Sequence, residues 1–294
     1  MTRRDLLVLS VACAAPAWAT PAWAAERFGH GLLWRVARQD AAPSHVFGTI
    51  HVSDPRVAEL PQAARRAFDG AKSLMLEHLP DDYSRERFLE AAMFLDRQTL
   101  EGTIGRTDFE RVLEQLRPIG LERDFVNRMK PWGVLLNLRA SADAQGASLD
   151  ARLLELARER HMPMHPIEEV EEQIFTFDEF PMESQVALLK HSLAHRGELL
   201  ALAEETLQAY LARDLARIWR LREEFVLRHP EVAAHQAVMN KRVVHDRSVV
   251  MAYRMQRQLR RGAAFVALGA LHLYGEKGVL ALLEDDGYRA TRVF

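Results

Sequence analysis

Two short apolar runs with strand-like composition, one near each end of the chain, most constrain how this sequence can fold. They cover residues 45–47 and 264–268, and each leads into a Gly-x-x-His motif. The motifs run from Gly48 to His51 and from Gly269 to His272. Runs of this kind predict strands. Because the two motifs lie near opposite ends of the chain, only the fold can bring them together. The pattern therefore predicts a sheet assembled from both ends of the chain.

In each motif a glycine ends the run and a histidine follows three residues later. We interpret Gly48 and Gly269 as turn residues beside a functional site, because glycine lets the backbone turn tightly. Open α/β sheets bind their ligands at the carboxyl ends of strands. Neutral imidazole is also the commonest side-chain ligand for metals. The matched pair therefore predicts one shared site that contains His51 and His272.

The rest of the chain is poor in strands and rich in helical spacing. Further strand-like segments cover residues 31–37, 72–76, 163–167 and 289–293. Apolar residues recur at helical intervals over residues 184–227 and 231–260. We therefore predict an α/β fold, with a mixed sheet built from both ends of the chain and covered by a long helical middle region. Residues 26–294 are expected to form one domain, with helical insertions at about residues 80–160 and 182–260.

The residues around both motifs resemble the signature blocks of the TraB/GumN family. The matching blocks are residues 45–52 and 266–279, a strand ending in glutamate at 74–77, a glutamate-containing block at 167–173, Asp150, and the closing residues 284–288. The animal members of that family are metal-dependent peptidases, so the resemblance implies peptide hydrolysis by analogy. Related bacterial proteins are linked to polysaccharide production and pheromone control.

The predicted site uses His51, Glu77 and His272 as ligands of a divalent metal ion. Two imidazoles and a carboxylate leave an open coordination position, as catalytic metal sites require. Zinc, manganese, cobalt and iron all accept such ligands. The resemblance adds Glu168 as a fourth ligand or as the base that accepts a proton from water. It also adds Arg247, which would hold a substrate carboxylate or stabilise an oxyanion.

One departure from the family pattern lies beside that arginine. Relatives usually carry an Arg-Asn pair, whereas this chain has Arg247 followed by Ser248. A hydroxyl cannot replace both the acceptor and the two donors of an amide. The substitution predicts weaker or altered chemistry if the asparagine orders the site in relatives.

Each of the other candidate residues also has a purely structural interpretation. Glu77 could cap a helix that begins near Pro80, and Glu168 could lie in a solvated helix start. Arg247 could form an ordinary surface ion pair. His191 and His195 have the spacing of a helical metal pair, but no glutamate follows His191, so we interpret them as a polar helix face.

Residues 1–25 have the pattern of a signal peptide, with cleavage expected near Ala24 or Ala25. Arg3 and Arg4 also resemble a twin-arginine signal, so both ordinary secretion and twin-arginine export stay open. We therefore expect a periplasmic or secreted protein. Cleavage would remove Cys13, the only cysteine, and with it any disulfide or thiolate ligand.

Composition excludes several classes of function. The formal net charge is −2 and no basic arm is present, which argues against nucleic-acid binding. Beyond the leader, no apolar run reaches the roughly 18 residues of a membrane span. Nucleotide-binding loops and a Gly-x-Ser-x-Gly elbow are also missing. The oligomeric state stays open.

Two functions are consistent with these observations. The first is an exported metal-dependent hydrolase that cuts a peptide or another amide or small-molecule substrate. The second is a non-catalytic periplasmic protein that binds a peptide, haem or metal ligand in the same cleft. Ser248 shifts the balance slightly toward the second.

Overall fold

The computed structural model describes residues 27–139 and 148–294, so the predicted signal peptide lies outside the described residues. Its sheet has six strands in the order β4-β3-β5-β2-β1-β6. The strands are β1 Leu33–Ala37, β2 Ser44–Thr49, β3 Ser73–Leu76, β4 Met164–Pro166, β5 Ala264–Gly269 and β6 Arg289–Arg292. The four strands β2 to β5 pair in parallel, whereas β1 is antiparallel to β2 and β6. This mixed sheet, built from both ends of the chain, confirms the predicted fold class.

Helices occupy most of the remaining chain. They are α1 Gln62–Asp69, α2 Asp82–Ala91, α3 Leu100–Ile104, α4 Arg106–Leu116, α5 Arg123–Arg128, α6 Pro131–Arg139, α7 Leu149–Glu159, α8 Val170–Asp178, α9 Met182–Ala194, α10 Arg196–Leu211, α11 Leu215–Arg228, α12 Ala233–Asn240, α13 Arg247–Arg261 and α14 Val279–Asp285. Short 3-10 turns lie at Pro55–Val57, Arg117–Ile119, Pro230–Val232 and Ala270–His272, and a π-helical turn at Lys241–Asp246.

The helical stretch predicted over residues 184–227 is divided into three helices. His195 leaves the helical conformation with φ −113° and ψ 30°, and Arg213 adopts a left-handed φ of 63°. Neither histidine nor arginine usually marks a helix end, because the usual markers are glycine and proline. The sequence pattern did not predict the break at His195, where one helix ends and the next begins.

The hydrophobic core has two parts. The first surrounds the sheet, where every residue of β5 is buried and Phe265 packs edge-on against Phe68 with ring centroids 5.5 Å apart. Strands covered on both faces read as continuous apolar runs, which is why the sequence reveals them. The second core lies among α3 to α6 and α9 and includes Phe109, Val112 and Leu189. Whether the two parts form a single domain stays a prediction.

Tyr210 joins the helical middle region to the sheet. Its hydroxyl, on α10, donates a hydrogen bond of 2.8 Å to the carbonyl oxygen of Gly48, and both groups are buried. The contact fixes α10 beside the carboxyl end of β2. In the part of the chain that the structure describes, no helix has the length and apolar character to span a bilayer.

Gly48 is required for packing and not for a turn, which corrects its predicted role. It lies inside β2, one residue before the strand ends, and its φ is not positive. A Cβ atom at this position would lie 2.7 Å from Cδ1 of Leu273 and 3.1 Å from Cα of Ala270. The turn after β5 therefore approaches β2 closely only because residue 48 has no side chain.

We expect Gly48→Ala to lower the free energy of unfolding by about 1–3 kcal/mol, because the added methyl overlaps buried neighbours. Urea unfolding followed by circular dichroism measures the change. Gly197→Ala is the matched control, since no atom lies within 4 Å of a Cβ built there. Equal stability of the two variants would contradict the packing role.

Candidate metal centre

The parallel strands bring the predicted site residues to one edge of the sheet. In the register of β2 and β5, Thr49 lies opposite Gly269, so the two Gly-x-x-His motifs lie side by side. Glu77 follows the end of β3, which pairs with β5 on its other side. The amide of Glu168, after β4, donates to the carbonyl oxygen of Glu77 at 2.8 Å. These residues therefore lie together at the carboxyl edge of the sheet, as the sequence predicts.

Gly269 lies at the centre of this edge. A Cβ atom built on it would be 3.2 Å from His51 Nε2, 3.2 Å from Glu77 Oε1 and 3.6 Å from His272 Cδ2. Its φ of −55° is accessible to any residue, so Gly269 is not a glycine required by turn geometry. Its amide donates a 2.6 Å hydrogen bond to Glu77 Oε1. The absent side chain is what allows the two histidines and the glutamate to approach one point.

His51 is oriented by Asp150, in the first turn of α7. The carboxylate oxygen Oδ2 of Asp150 lies 3.0 Å from His51 Nδ1, and its other oxygen accepts a 2.9 Å bond from the Thr49 hydroxyl. With Nδ1 bonded to the Asp150 carboxylate, Nε2 faces the site and lies 3.5 Å from Glu77 Oε1. The His51 side chain is 58% exposed, so this edge is open to solvent.

His272 is held in the same way by Ser248. The Ser248 hydroxyl donates to the carbonyl oxygen of Val244 at 2.7 Å and lies 2.9 Å from His272 Nδ1. Because the hydroxyl hydrogen is committed to Val244, the hydroxyl oxygen accepts the Nδ1 hydrogen of His272. His272 Nε2 is then the unprotonated nitrogen, 3.9 Å from Glu77 Oε1. The serine thus orders the site although it departs from the family pattern.

The ionisation of these groups reflects their burial and mutual contacts. Partial desolvation of the ring lowers the pKa of His51, but its hydrogen bonds with Asp150 and Glu77 outweigh this effect and raise the pKa well above its usual value. Burial alone would raise the pKa of Glu77, yet the hydrogen bond to His51 and the charges of His272 and Arg247 hold it well below its usual value. Burial lowers the pKa of His272 to about 4, against the attraction of Glu77. Its ring is therefore neutral at pH 7, the form that binds metals.

Arg247 connects the two glutamates of the site. Its Nη2 atom lies 2.7 Å from Glu77 Oε2 and 2.6 Å from Glu168 Oε2, and its Nε donates to both oxygens of Glu168. A π-helical turn directly precedes Arg247, and such turns are frequent at functional sites. Glu77 therefore presents Oε1 to the histidines, while Oε2 is neutralised by the guanidinium.

The structural interpretations of these three residues are wrong. Asp81, not Glu77, caps α2, because its side chain accepts from the amide of Ser84. Glu168 is 4% exposed and is not solvated. The Arg247 side chain is 13% exposed, which excludes an ordinary surface ion pair. The roles predicted for Glu168 and Arg247 in chemistry stay predictions.

A second group of possible metal ligands lies in the helical region, away from the motif residues. His191, His195, His229 and Glu231 have ligand atoms that all lie within 4.8 Å of one another. His191 is buried, so the interpretation of His191 and His195 as a polar helix face is wrong. The i, i+4 spacing was the available signal. Its partners come from the separate segment His229-Pro230-Glu231, which spacing alone cannot link to it.

Sequence reasoning also missed the residues that orient the histidines. The family pattern includes Asp150 and the first motif contains Thr49, but neither pattern predicts that these residues orient His51. Their pairing depends on the position of α7 against the end of β2, which no local pattern encodes. The family pattern predicts that Ser248 weakens or alters the chemistry, whereas in the structure its hydroxyl orients His272.

Comparisons with known proteins agree with the resemblance in the motif blocks. The TraB/PrgY/gumN family profile matches residues 32–292. The metalloprotease TIKI2 of Danio rerio is 25% identical, over 88% of this chain and 60% of its own length. The uncharacterized protein YbaP of Shigella flexneri and that of Escherichia coli strain K12 are each 25% identical, over 82% and 81% of this chain and 87% of their lengths. No solved structure matches the chain significantly.

We expect Asp150→Asn to weaken Zn²⁺ binding at His51 by about 10–100-fold, because the amide reduces the basicity and orientation that a carboxylate gives its histidine. Isothermal titration of metal-free protein measures the affinity. Asp40→Asn, at an exposed turn, is the control and should bind like the wild type. Unchanged affinity in Asp150→Asn would show that Asp150 does not support a ligand.

We expect Glu168→Ala to lower the free energy of unfolding by about 1.5–3 kcal/mol, since it removes the charged hydrogen bonds that Glu168 accepts from the buried guanidinium of Arg247. The matched control is Glu155→Ala, which removes an exposed i, i+3 pair with Arg152 and should cost less than about 1 kcal/mol. Guanidinium unfolding curves of both variants give the comparison. Similar small losses would mean that Arg247 does not depend on Glu168.

Proposed function

This chain belongs to the TraB/PrgY/gumN family, and from its site we propose that it is a metal-dependent hydrolase that cleaves amide bonds in peptides. The observation that carries the proposal is the arrangement of two histidines around Glu77 Oε1. Each ring has its Nδ1 engaged by a neighbour, Asp150 or Ser248, and each has its Nε2 within 4 Å of that oxygen. Fixing the outer nitrogen in this way is how proteins prepare imidazole to bind a metal.

The donor set fits a divalent transition metal. His51, Glu77 and His272 supply two nitrogens and one oxygen around the space that a side chain at residue 269 would fill. Three protein ligands are the usual complement of a catalytic zinc site, and manganese, cobalt and iron accept the same donors. When bound, such an ion would supply Lewis-acid activation of water and of the substrate carbonyl.

The protein groups around these ligands have positioning roles in the proposal. Arg247 holds Glu77 with Oε1 facing the histidines and offsets its negative charge, which limits the repulsion between Glu77 and Glu168. Glu168 in turn fixes Arg247 through both carboxylate oxygens. If Glu168 acts as a base or fourth ligand, it must break its bonds to Arg247 during turnover. The same holds for Arg247 if it contacts the substrate or an oxyanion.

The substrate class rests on the relatives and on access. TIKI2 is named a metalloprotease, although this chain spans only 60% of its length. The exposure of His51 leaves the sheet edge accessible to an extended peptide. The pattern of residues 1–25 supports export, so we place the activity in the periplasm or outside the cell, with ordinary secretion and twin-arginine export both open.

The test compares mature wild-type protein with the His51→Ala/His272→Ala variant, both purified without chelators or a metal-binding tag. We expect the variant to lose one equivalent of metal, measured by plasma mass spectrometry, and to lose cleavage of a peptide library, measured by product mass spectrometry. The control is His161→Asn, which changes an exposed histidine that precedes the amino end of β4. Full activity and metal content in the His51→Ala/His272→Ala variant would reject the proposal.

A different result would favour the binding hypothesis. If metal-loaded wild-type protein captures peptides reversibly and releases them intact, the site binds without hydrolysis. Cleavage of captured peptides would exclude that alternative.

A further inference from the structure

The histidine cluster formed by His191, His195, His229 and Glu231 is built from three helical segments. His191 is in the last turn of α9, and His195 is the residue between α9 and α10. His229 ends α11, and Glu231 lies in the 3-10 turn that follows it. None of these residues belongs to the metal centre at the sheet edge, so the cluster is a separate constellation.

The three imidazole rings are in mutual contact. The ring centroids of His191 and His195 are 4.4 Å apart, those of His191 and His229 are 4.7 Å apart, and those of His195 and His229 are 4.5 Å apart. Phe225 closes one side of the group, with its ring centroid 4.5 Å from that of His229. Three imidazoles packed so closely cannot all be cationic, because like charges at this separation repel strongly.

Two carboxylates complete the group. Glu231 Oε1 lies 3.3 Å from His191 Nδ1 and 3.4 Å from His229 Nδ1. Glu198 lies on the other side, with one oxygen 3.1 Å from His195 Nδ1 and the other 3.0 Å from His229 Nε2. Three imidazoles beside two carboxylates form an environment whose charge complements a divalent cation.

A second observation concerns His191, because one of its ring nitrogens has no partner among these contacts. Its side chain is 7% exposed, and its Nε2 atom is buried with no hydrogen-bond partner. Buried polar atoms are normally paired, and an orphan nitrogen in a native structure requires an explanation. An ion bound through Nε2 would supply the missing partner.

We propose that the histidine cluster binds one Zn²⁺ ion through His191, His195, His229 and Glu231, as a structural site distinct from the metal centre at the sheet edge. Three nitrogens and one oxygen satisfy the four-coordinate preference of zinc with no position left for substrate. The ion joins the α9–α10 junction to the end of α11. Glu198 orients the histidines as an outer partner. Because the Glu231 side chain is 56% exposed, the ion can enter from solvent.

The experiment uses metal-free mature protein in the His51→Ala/His272→Ala background, so that only the cluster is tested. We expect isothermal titration with Zn²⁺ to show one equivalent bound, and Mg²⁺ to show none, because imidazole ligands favour transition metals. Adding His195→Gln or Glu231→Gln should weaken Zn²⁺ binding at least about tenfold. Both side chains are partly exposed, so these variants should fold. His161→Asn is the control, since asparagine tolerates the φ of 51° at that position.

Thermal unfolding supplies a readout that is independent of hydrolysis. With Zn²⁺ at about 100 times its Kd for the background protein, the melting temperature should rise by several degrees in that protein and by about half as much or less in the Glu231→Gln variant. Absence of Zn²⁺ binding in the background protein, or equal binding in the Glu231→Gln and His195→Gln variants, would overturn the proposal. If the background variant does not fold, wild-type protein should bind two equivalents and Glu231→Gln one. Wild-type stoichiometry of one, unchanged in Glu231→Gln, would equally refute the cluster.

Discussion

Parallel pairing between β2 and β5 determines where the side chains of the sheet-edge site can lie. With Thr49 opposite Gly269, both motifs leave the sheet at the same edge, although they come from opposite ends of the chain. A one-residue shift of this register would turn every following side chain to the other face. The close packing of Gly48 against Ala270 and Leu273 opposes such a shift. A shifted register would place a residue with a side chain opposite these atoms, where a Cβ atom has no room.

Each of the three predicted ligands is held in place by a neighbouring polar group. Asp150 holds His51, Ser248 holds His272, and Glu168 holds Arg247, which in turn holds Glu77. Burying two carboxylates costs solvation energy that the guanidinium and the Gly269 amide recover. The result is a set of donors whose orientation is settled before any ligand arrives, which reduces the entropy lost on binding.

The helical middle region contributes to both proposed metal sites in different ways. It supplies Asp150, Arg247 and Ser248 to the sheet edge, and Tyr210 anchors α10 to the backbone of Gly48. Farther from the sheet, the break at His195 places one histidine between two helices and lets a second segment bring His229 and Glu231 alongside. The break between α9 and α10 therefore lies within the histidine cluster.

The sequence alone determined the six strands, the mixed sheet and the meeting of His51, Glu77 and His272. The central strands β3 and β5 are buried, continuous apolar runs, and the carboxyl ends of parallel strands share an edge. Tertiary structure decided the rest. The contacts of Asp150 and Ser248 depend on where helices dock against that edge, and the roles of Gly48 and Gly269 depend on close approach and not on backbone conformation. The histidine cluster joins segments with no shared local pattern, so only the packing of α9, α10 and α11 brings its ligands within reach of one ion.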